Sequence, residues 1–300
     1  MKRANQNIII AGGGIGGLAA ALGLVKAGCR VTVLERADAF GEIGAGIQIG
    51  PNAFHAMDYL GVGEACRSKA VFIDKLIMMD GVSADKVAEI PVDEPFRSFF
   101  GNPYAVIHRA DLHGVLLAAC ERHPEISLVT SQDIVGYENI TSGARLNTST
   151  GDVFEGDAVI GADGIYSVIR EQMTGGDPLR HSGHVAYRAV LPIEEMPEDL
   201  RWNAATIWVG PKCHLVHYPL QGWKSFNIVA TFVTDISNMG SNEPGKREEV
   251  LFRFGAVADK PRGLIEKPTR WRRWVLGDRD PIGNWTDGNV VLLGDAAHPT

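Results

Sequence analysis

The first forty residues combine two short apolar runs with a stretch of helical spacing between them. Residues 7–11 form a β-branched run that ends in glycines, and apolar residues then recur every three to four positions up to Gly28. Residues 30–35 form a second strand-like run, which ends in the acidic residue Glu35. The pattern predicts a strand, a turn, a helix and a parallel strand, which together make a right-handed βαβ unit.

Further along, the hydrophobic pattern predicts helices over 52–60 and 110–121, and strand pieces over 71–80 and 86–90. A proline-bearing stretch, 91–103, predicts a loop. Short strands follow at 127–130, 133–137, 144–147, 157–162, 184–191, 205–209, 213–219 and 225–234. A helix over 247–257 and a fully apolar strand over 289–293 complete the pattern.

These elements predict an α/β chain in which a Rossmann-like domain with a parallel sheet is interleaved with a smaller, mainly antiparallel β domain. The expected first domain comprises residues 1–70, 104–180 and 282–300. The expected second domain comprises residues 71–103 and 181–281. A chain of 300 residues is long enough for two domains.

Composition narrows the expected partners and compartment. The formal net charge of −7 disfavours a nucleic-acid surface, because phosphate binding needs clustered Lys and Arg. The four cysteines lack Cys-x-x-Cys spacing, which predicts reduced thiols in a cytoplasmic protein and no metal site. No run of 18 apolar residues predicts a membrane span. Small molecules are therefore the expected ligands.

The turn after the first strand carries the spacing Gly-x-Gly-x-x-Gly, with an acidic residue 18 positions after the last glycine. Gly12 permits the tight turn, Gly14 lets a diphosphate approach the backbone, and Gly17 lets helix and strand pack closely. Glu35 would accept hydrogen bonds from ribose hydroxyls. A glycine-rich turn without a ligand is the alternative. The predicted dinucleotide-binding residues are Gly12, Gly14, Ile15, Gly17, Glu35 and Arg36.

Two later segments also follow apolar strands: one contains Asp163-Gly164 and the other begins Gly294-Asp295. With the glycine spacing, they resemble the class A flavoprotein monooxygenases, the FAD-dependent aromatic hydroxylases, over essentially the whole chain. The resemblance implies that FAD is the cofactor. It also implies that Asp163 and Gly164 lie by the FAD and nicotinamide path, and that Asp295 holds the ribityl chain. An ordinary turn aspartate is the alternative for Asp295.

The same resemblance extends to a second glycine loop, residues 42–48, which passes the flavin in the family. Gly44, Ala45 and Gly46 match that loop, and Arg109 matches an FAD-contacting arginine. Loop glycines allow backbone contact with a flat ring, and arginine offers a fork of donors to phosphate or ribose oxygens. A surface charge at a helix start is the alternative for Arg109.

Residues 210–220, with Tyr187-Arg188 and residues 278–281, resemble most closely the 3-hydroxybenzoate 6-hydroxylases of that family, followed by the salicylate hydroxylases. Strand alternation places His214 and Tyr218 on one face. The predicted catalytic roles are His214 as the base for a substrate phenol and Tyr218 as a hydrogen-bonding partner. His217 is interpreted as a core or edge residue. Arg188 either shapes the pocket or pairs with a surface acid.

The resemblance implies an enzyme that uses FAD, NADH or NADPH, and O2 to hydroxylate a small aromatic acid, with conversion of 3-hydroxybenzoate to gentisate expected. A salicylate hydroxylase, an FAD-dependent oxidase or dehydrogenase, and an inactive FAD-binding protein are the alternatives. A homodimer is left open. Relatives continue past the position of Thr300 into a C-terminal helical part absent from this sequence, which we therefore expect to be a fragment.

Overall fold

The computed structural model describes residues 5–41, 44–235 and 242–299. Its strands, in chain order, are β1 Asn7–Ala11, β2 Arg30–Leu34, β3 Gly46–Ile49, β4 Val71–Phe72, β5 Lys75–Asp80, β6 Lys86–Pro91, β7 Ala105–His108, β8 Ile126–Val129, β9 Ile134–Ile140, β10 Gly143–Thr148, β11 Val153–Gly156, β12 Ala158–Gly161, β13 Arg180–Pro192, β14 Ala204–Gly210, β15 Cys213–Leu220, β16 Ser225–Val233, β17 Glu243–Gly245, β18 Trp271–Asp278, β19 Thr286–Asp287 and β20 Val290–Leu292. Its α-helices are α1 Ile15–Lys26, α2 Pro51–Leu60, α3 Gly63–Lys69, α4 Glu94–Phe100, α5 Arg109–Glu121, α6 Val168–Thr174, α7 Arg247–Arg253 and α8 Asp259–Glu266.

The chain divides into two compact units. Unit 1 comprises residues 1–42, 112–180 and 278–300, and unit 2 comprises residues 43–111 and 181–277. Unit 2 includes residues 43–70 and 104–111, which the predicted division had assigned to the first domain. The physical reason is that β3, β7 and β4 pair with one another in a separate three-stranded sheet. The division into a cofactor domain and a substrate domain stays a prediction.

Unit 1 is built on a six-stranded sheet in the order β19-β20-β12-β1-β2-β8. All pairs are parallel except the short β19–β20 pair. The predicted βαβ unit is confirmed as β1, α1 and β2, and the predicted apolar strand near residue 290 is confirmed as β20. Strands β9, β10 and β11 form a separate antiparallel sheet, with β11 not predicted.

Unit 2 is built on an eight-stranded sheet in the order β17-β18-β13-β16-β15-β14-β5-β6. Its pairing is mainly antiparallel, as predicted, but β14 and β5 run parallel. Of the strand pieces predicted over 71–80 and 86–90, β5 and β6 belong to this sheet, whereas residues 71–72 form β4 of the three-stranded sheet. One face packs a buried core that includes Tyr187, Trp208, Leu215 and Phe232.

The sequence missed several elements of unit 2. The stretch 91–103, predicted as a loop, contains helix α4, and helices α3 and α8 and strand β18 were not predicted. The helix predicted over 247–257 ends at Arg253.

The cysteines and the helices bear on two predictions made from composition. The four cysteines are free and buried, as the spacing predicted. No helix in the described ranges has the length and apolar character needed to cross a membrane.

Candidate active site

Four predicted residues of unit 1 lie just after the carboxyl ends of neighbouring parallel strands. Gly12 follows β1, Glu35 follows β2, Asp163 follows β12 and Asp295 follows β20. The registers pair Ala11 with both Leu34 and Gly161, and Gly161 with Leu292. Because these ends meet at one edge of the sheet, parallel pairing brings together motifs that are far apart in sequence. Open α/β sheets bind ligands at this edge.

The glycine turn is shaped by close backbone packing. Gly12 has a φ of +112°, and a Cβ there would overlap the carbonyl oxygen of Ala162. A Cβ at Gly17 would overlap the carbonyl oxygen of Gly12, whereas a Cβ at Gly14 would meet no atom within 4 Å. Gly12 and Gly17 are therefore required by the packing of the turn, and Gly14 leaves a backbone surface open to a ligand.

A cavity of about 370 Å³ opens beside this turn. We call it the glycine-turn cavity. Its lining includes six of the residues predicted to bind the cofactor: Gly12, Gly14, Glu35, Arg36, Asp163 and Gly164. Ile134 of β9 also lines the cavity, so the site includes residues from outside the βαβ unit.

Glu35 holds the turn in shape. Its Oε2 accepts a hydrogen bond from the Gly13 backbone N–H at 2.9 Å, and its Oε1 accepts one from the Ala37 N–H at 3.0 Å. A carboxylate has further acceptor sites beyond these two bonds. The predicted ribose contact of Glu35 is compatible with this geometry and stays a prediction.

His113 is a buried residue of α5 that the sequence analysis missed. Its Nε2 lies 2.8 Å from the carbonyl oxygen of Gly13. Because a carbonyl oxygen only accepts, the ring nitrogen donates this bond. Nothing in the local sequence marks His113, since its partner is a backbone atom 100 residues away.

Asp163 is hydrogen-bonded to the start of α6, whose N-cap is Ser167. Its Oδ1 accepts from the Ser167 hydroxyl at 2.6 Å, and its Oδ2 accepts from the Ile169 N–H at 3.3 Å. Burial raises the pKa of Asp163, while the Ser167 hydroxyl and the Ile169 N–H act in the opposite direction. Gly164 follows with a φ of +79°, which turns the chain along the cavity wall.

Arg170 is a second residue that the sequence analysis did not assign to the site. It is fully buried, and its Nε donates to Asp177 at 2.5 Å. Its other nitrogens donate to the carbonyl oxygens of Ala297 at 2.6 Å and Asp280 at 2.7 Å. Arg170 thereby fixes the turn that carries Asp295. Asp295 itself is exposed and is not among the residues that line the cavity.

In unit 2, the second glycine loop is packed against two predicted site residues. A Cβ at Gly44 would lie 2.8 Å from Cδ of Arg109, and a Cβ at Gly46 would overlap the ring of Tyr218. The Gly46 N–H also donates to Oδ1 of Asn227 at 3.0 Å. Packing within the protein therefore explains these two glycines. Ala45 is buried beside them, and residues 42 and 43 of the predicted loop lie outside the described residues.

The predicted alternation along β15 is confirmed. His214, Val216 and Tyr218 share the face of the sheet opposite the core, and we call this surface the His214 face. His217 lies on the core face with 1% of its surface exposed. Tyr218 is 3% exposed, whereas His214 is half-buried. Of the two predicted catalytic residues, His214 is therefore the more accessible.

Burial shifts the acid–base properties of both residues. It lowers the pKa of His214, and the proximity of His184 lowers it further. His214 is therefore neutral near pH 7 and can accept a proton. Burial also raises the pKa of Tyr218 well above its usual range, so this phenol keeps its proton.

The comparisons with known proteins agree with this geometry. The model of the FAD binding domain family matches residues 5–300. The 3-hydroxybenzoate 6-hydroxylase 1 of Aquipseudomonas alcaligenes is 50% identical over 296 residues, covering 98% of this chain and 75% of that protein. The chain belongs to the FAD-dependent aromatic hydroxylases. The 3-hydroxybenzoate 6-hydroxylase of Polaromonas naphthalenivorans is also 50% identical, over 99% of this chain and 74% of its own length.

Among solved structures, a salicylate hydroxylase substrate complex superposes on this hydroxylase with a TM-score of 0.83 at 26% identity. The match covers 99% of this chain and 74% of that structure. The resemblance seen in the sequence, the α/β fold and the use of FAD are thereby confirmed. The roles of the individual residues stay proposals.

The residues present fit FAD. A Cβ at Gly14 would meet no atom, so the backbone there is open to a ligand. Helix α1 begins at Ile15, and the backbone N–H groups of its first turn can bind a diphosphate. Glu35 and Arg36 line the same cavity and offer an acceptor and a cation to the rest of the nucleotide. The enzyme would therefore hold the dinucleotide on unit 1.

Proposed function

We propose that this hydroxylase converts 3-hydroxybenzoate to gentisate, 2,5-dihydroxybenzoate. The reaction consumes one molecule each of 3-hydroxybenzoate, O2 and NADH or NADPH, together with one proton. It yields gentisate, the oxidised nicotinamide and water. The observation that supports the substrate most directly is the 50% identity to two relatives named 3-hydroxybenzoate 6-hydroxylase, over nearly the whole chain. Bound FAD supplies the transfer of electrons from the nicotinamide and of one oxygen atom to the ring.

The proposed cofactor-binding residues are those predicted from the sequence. They are Gly12, Gly14, Ile15, Gly17, Glu35, Arg36, Gly44, Ala45, Gly46, Arg109, Asp163, Gly164 and Asp295.

In this proposal, His214 accepts the proton of the substrate phenol at a ring nitrogen. Loss of that proton raises the electron density of the ring, which favours attack by an electrophilic oxygen. The neutral state of His214 supports this role. Tyr218 keeps its proton and acts as a hydrogen-bond donor, and its ring supports the backbone at Gly46.

The first test is product analysis. FAD-loaded protein should consume NADH or NADPH faster with 3-hydroxybenzoate than without it, and gentisate should accumulate. Salicylate serves as the comparison substrate, because the structural match to a salicylate hydroxylase favours it as the second candidate. Gentisate must account for the nicotinamide consumed. Faster turnover of salicylate, or oxidation without a hydroxylated product, would contradict the proposed substrate.

A second test addresses His214. Substitution His214→Ala should slow hydroxylation about 100-fold, because a positioned general base contributes on that order. Flavin reduction by the nicotinamide should change little, since that step needs no phenol base. Rapid-mixing absorbance separates the two steps, and His123→Ala, at a partly exposed histidine that follows α5, is the control. Equal slowing of both steps would remove the base assignment.

The proposal also covers partners and location. O2 is the second substrate, and a homodimer is the assembly to test by light scattering. The four free, buried cysteines support the expected cytoplasmic location, where thiols stay reduced.

A further inference from the structure

Arg188 projects from β13 on the His214 face. Arg188 pairs with Val229 of β16, and Val229 pairs with Val216 of β15. Residues directly opposite one another in a sheet share a face, and neighbouring strands are about 4.8 Å apart. Arg188 therefore lies about 10 Å across the sheet from Val216. His214 and Tyr218 flank Val216 along β15, each about 7 Å away.

These positions define a small platform. Two valine side chains, Val216 and Val229, form its centre, and both are half-buried. His214 and Arg188 stand at two of its corners. Apolar side chains at the centre suit the face of an aromatic ring, and the base and the cation at the corners suit two different substituents.

The electrostatic setting of Arg188 is unusual for this chain. Its guanidinium carbon lies 5.4 Å from the ring centre of Trp274, a cation–π contact with the neighbouring strand β18. Within the described ranges the guanidinium is in no ion pair with a carboxylate, and its buried Nε has no hydrogen-bond partner. Burial lowers the pKa of Arg188; Tyr218 nearby acts in the opposite direction, and the positive charge of Arg109 lowers it further. The site therefore holds a partly desolvated cation that an anion would stabilise.

Two other buried or half-buried arginines are in ion pairs with carboxylates of the protein. Arg170 is paired with Asp177, and Arg97 is paired with Asp74. In each pair a carboxylate of the protein offsets the loss of water around the guanidinium. At Arg188, a ligand carboxylate would fill the same role, with the bidentate geometry that guanidinium groups favour.

We propose that Arg188 binds the carboxylate of the aromatic substrate and so selects hydroxylated acids over neutral phenols. This inference rests on the proposed function for the identity of the substrate. The ring lies on the two valines, with its carboxylate toward Arg188 and its phenol toward His214. Tyr218, which is 3% exposed, is left to support Gly46 and is not the carboxylate partner. Trp274 keeps the guanidinium in place as a positioning residue.

The test compares two ligands that differ in charge, 3-hydroxybenzoate and 3-hydroxybenzyl alcohol. Each is titrated into FAD-loaded enzyme, and the change in flavin absorbance gives its Kd. We expect Arg188→Gln to raise the Kd of the acid about 10- to 100-fold, the range of a hydrogen bond to a charged group. The Kd of the alcohol should stay within about threefold. Arg188→Lys should fall between wild type and Arg188→Gln for the acid, because it keeps the charge without the fork.

Arg253→Gln is a matched control. Arg253 also lies over an aromatic ring, 5.5 Å from the ring centre of Phe232, but it is exposed on α7 at the opposite face of the same sheet. This variant should bind both ligands as wild type does. FAD content and melting temperature identify any variant that fails to fold, in which case Arg188→Lys alone decides the comparison.

Two results would overturn the assignment: equal weakening for both ligands, or unchanged affinity for the acid in Arg188→Gln. The substrate proposal is judged separately, by gentisate formation in the wild type. If wild type forms no gentisate but binds 3-hydroxybenzoate in an Arg188-dependent manner, the charge selection stands and the substrate identity is wrong.

Discussion

Single side chains hold the backbone around the glycine-turn cavity in place. Each of three residues forms a hydrogen bond to a backbone group there: Glu35, His113 and Asp163. Glu35 and His113 bind the N–H and the carbonyl of the same residue, Gly13. Asp163 binds the backbone at the start of α6. A bound diphosphate would meet backbone atoms whose positions are already set, and preorganisation of this kind favours affinity.

The His113 contact leads to a prediction at this scale. Substitution His113→Leu leaves the buried carbonyl of Gly13 without its donor, which costs about 1–3 kcal/mol. We expect FAD to bind about tenfold more weakly, because the turn loses its support. Fluorescence titration of the apoprotein with FAD measures the change.

The conservative variant His113→Gln keeps an N–H donor on a flexible side chain and should recover part of the affinity. If His113→Leu binds FAD as tightly as wild type, the hydrogen bond to Gly13 has no role in holding the turn.

At the scale of elements, the glycines of the first turn and of α1 have separate tasks. A Cβ at Gly17 would overlap a backbone oxygen, whereas Cβ atoms at Gly14 and Gly16 would meet nothing within 4 Å. The same chemical change, one added methyl group, therefore has three different expected outcomes within four residues.

Gly17→Ala should destabilise the protein by about 1–3 kcal/mol, because backbone atoms must shift to admit the methyl group. Gly14→Ala should keep the stability of the apoprotein but weaken FAD binding about tenfold or more, since the methyl group occupies the approach of the diphosphate. Gly16→Ala is the matched control and should gain up to about 1 kcal/mol from helix propensity.

Thermal unfolding of the apoproteins and FAD titration separate the three variants. Wild-type FAD affinity in Gly14→Ala would rule out a close approach of the cofactor at that glycine.

Elements also show where sequence patterns fail. The stretch 91–103 predicted a loop because of its prolines, yet α4 starts with Pro95 in its first turn, where a missing N–H costs nothing. Gly101, with a φ of +70°, ends the helix. Asp93 before the helix and Gly101 after it are recognisable boundary signals. By contrast, the edge strand β17 is only three residues long, and its pairing with β18 depends on contacts distant in sequence.

At the scale of the whole molecule, the core of unit 2 contains a titratable group with no use in the proposed reaction. His217 packs against Trp208 and Phe226, with ring centres 6.5 and 6.4 Å away. Neither ring nitrogen has a hydrogen-bond partner in the described structure. Burial lowers the pKa of His217 from 6.5 to about 3.

This burial predicts a pH dependence of folding. Because the folded pKa lies below the unfolded pKa, the unfolded chain binds the extra proton between pH 6.5 and about 3. Stability should therefore fall as the pH drops through this window, by up to about 1.4 kcal/mol per pH unit from this group. Urea unfolding between pH 7 and pH 5 measures the slope.

His217→Phe keeps a ring in the same core position. It should reduce the slope of the unfolding free energy against pH by the contribution of one proton. His123→Gln, which changes a partly exposed histidine outside the core, should leave the slope unaltered. An unchanged slope in His217→Phe would show that other groups control the acid sensitivity.

The sequence by itself determined the βαβ start, the strand alternation that separates His214 from His217, and the family with its cofactor. These features depend on local periodicity and on short motifs, in which neighbouring residues act together. Only the tertiary structure revealed the pairing of β5 with β14, the support of Gly13 by His113, the burial of Tyr218 under Gly46 and the Arg188 Nε that is buried without a hydrogen-bond partner in the described residues. Each of these depends on atoms brought together from distant segments, and no local pattern records which segments will meet.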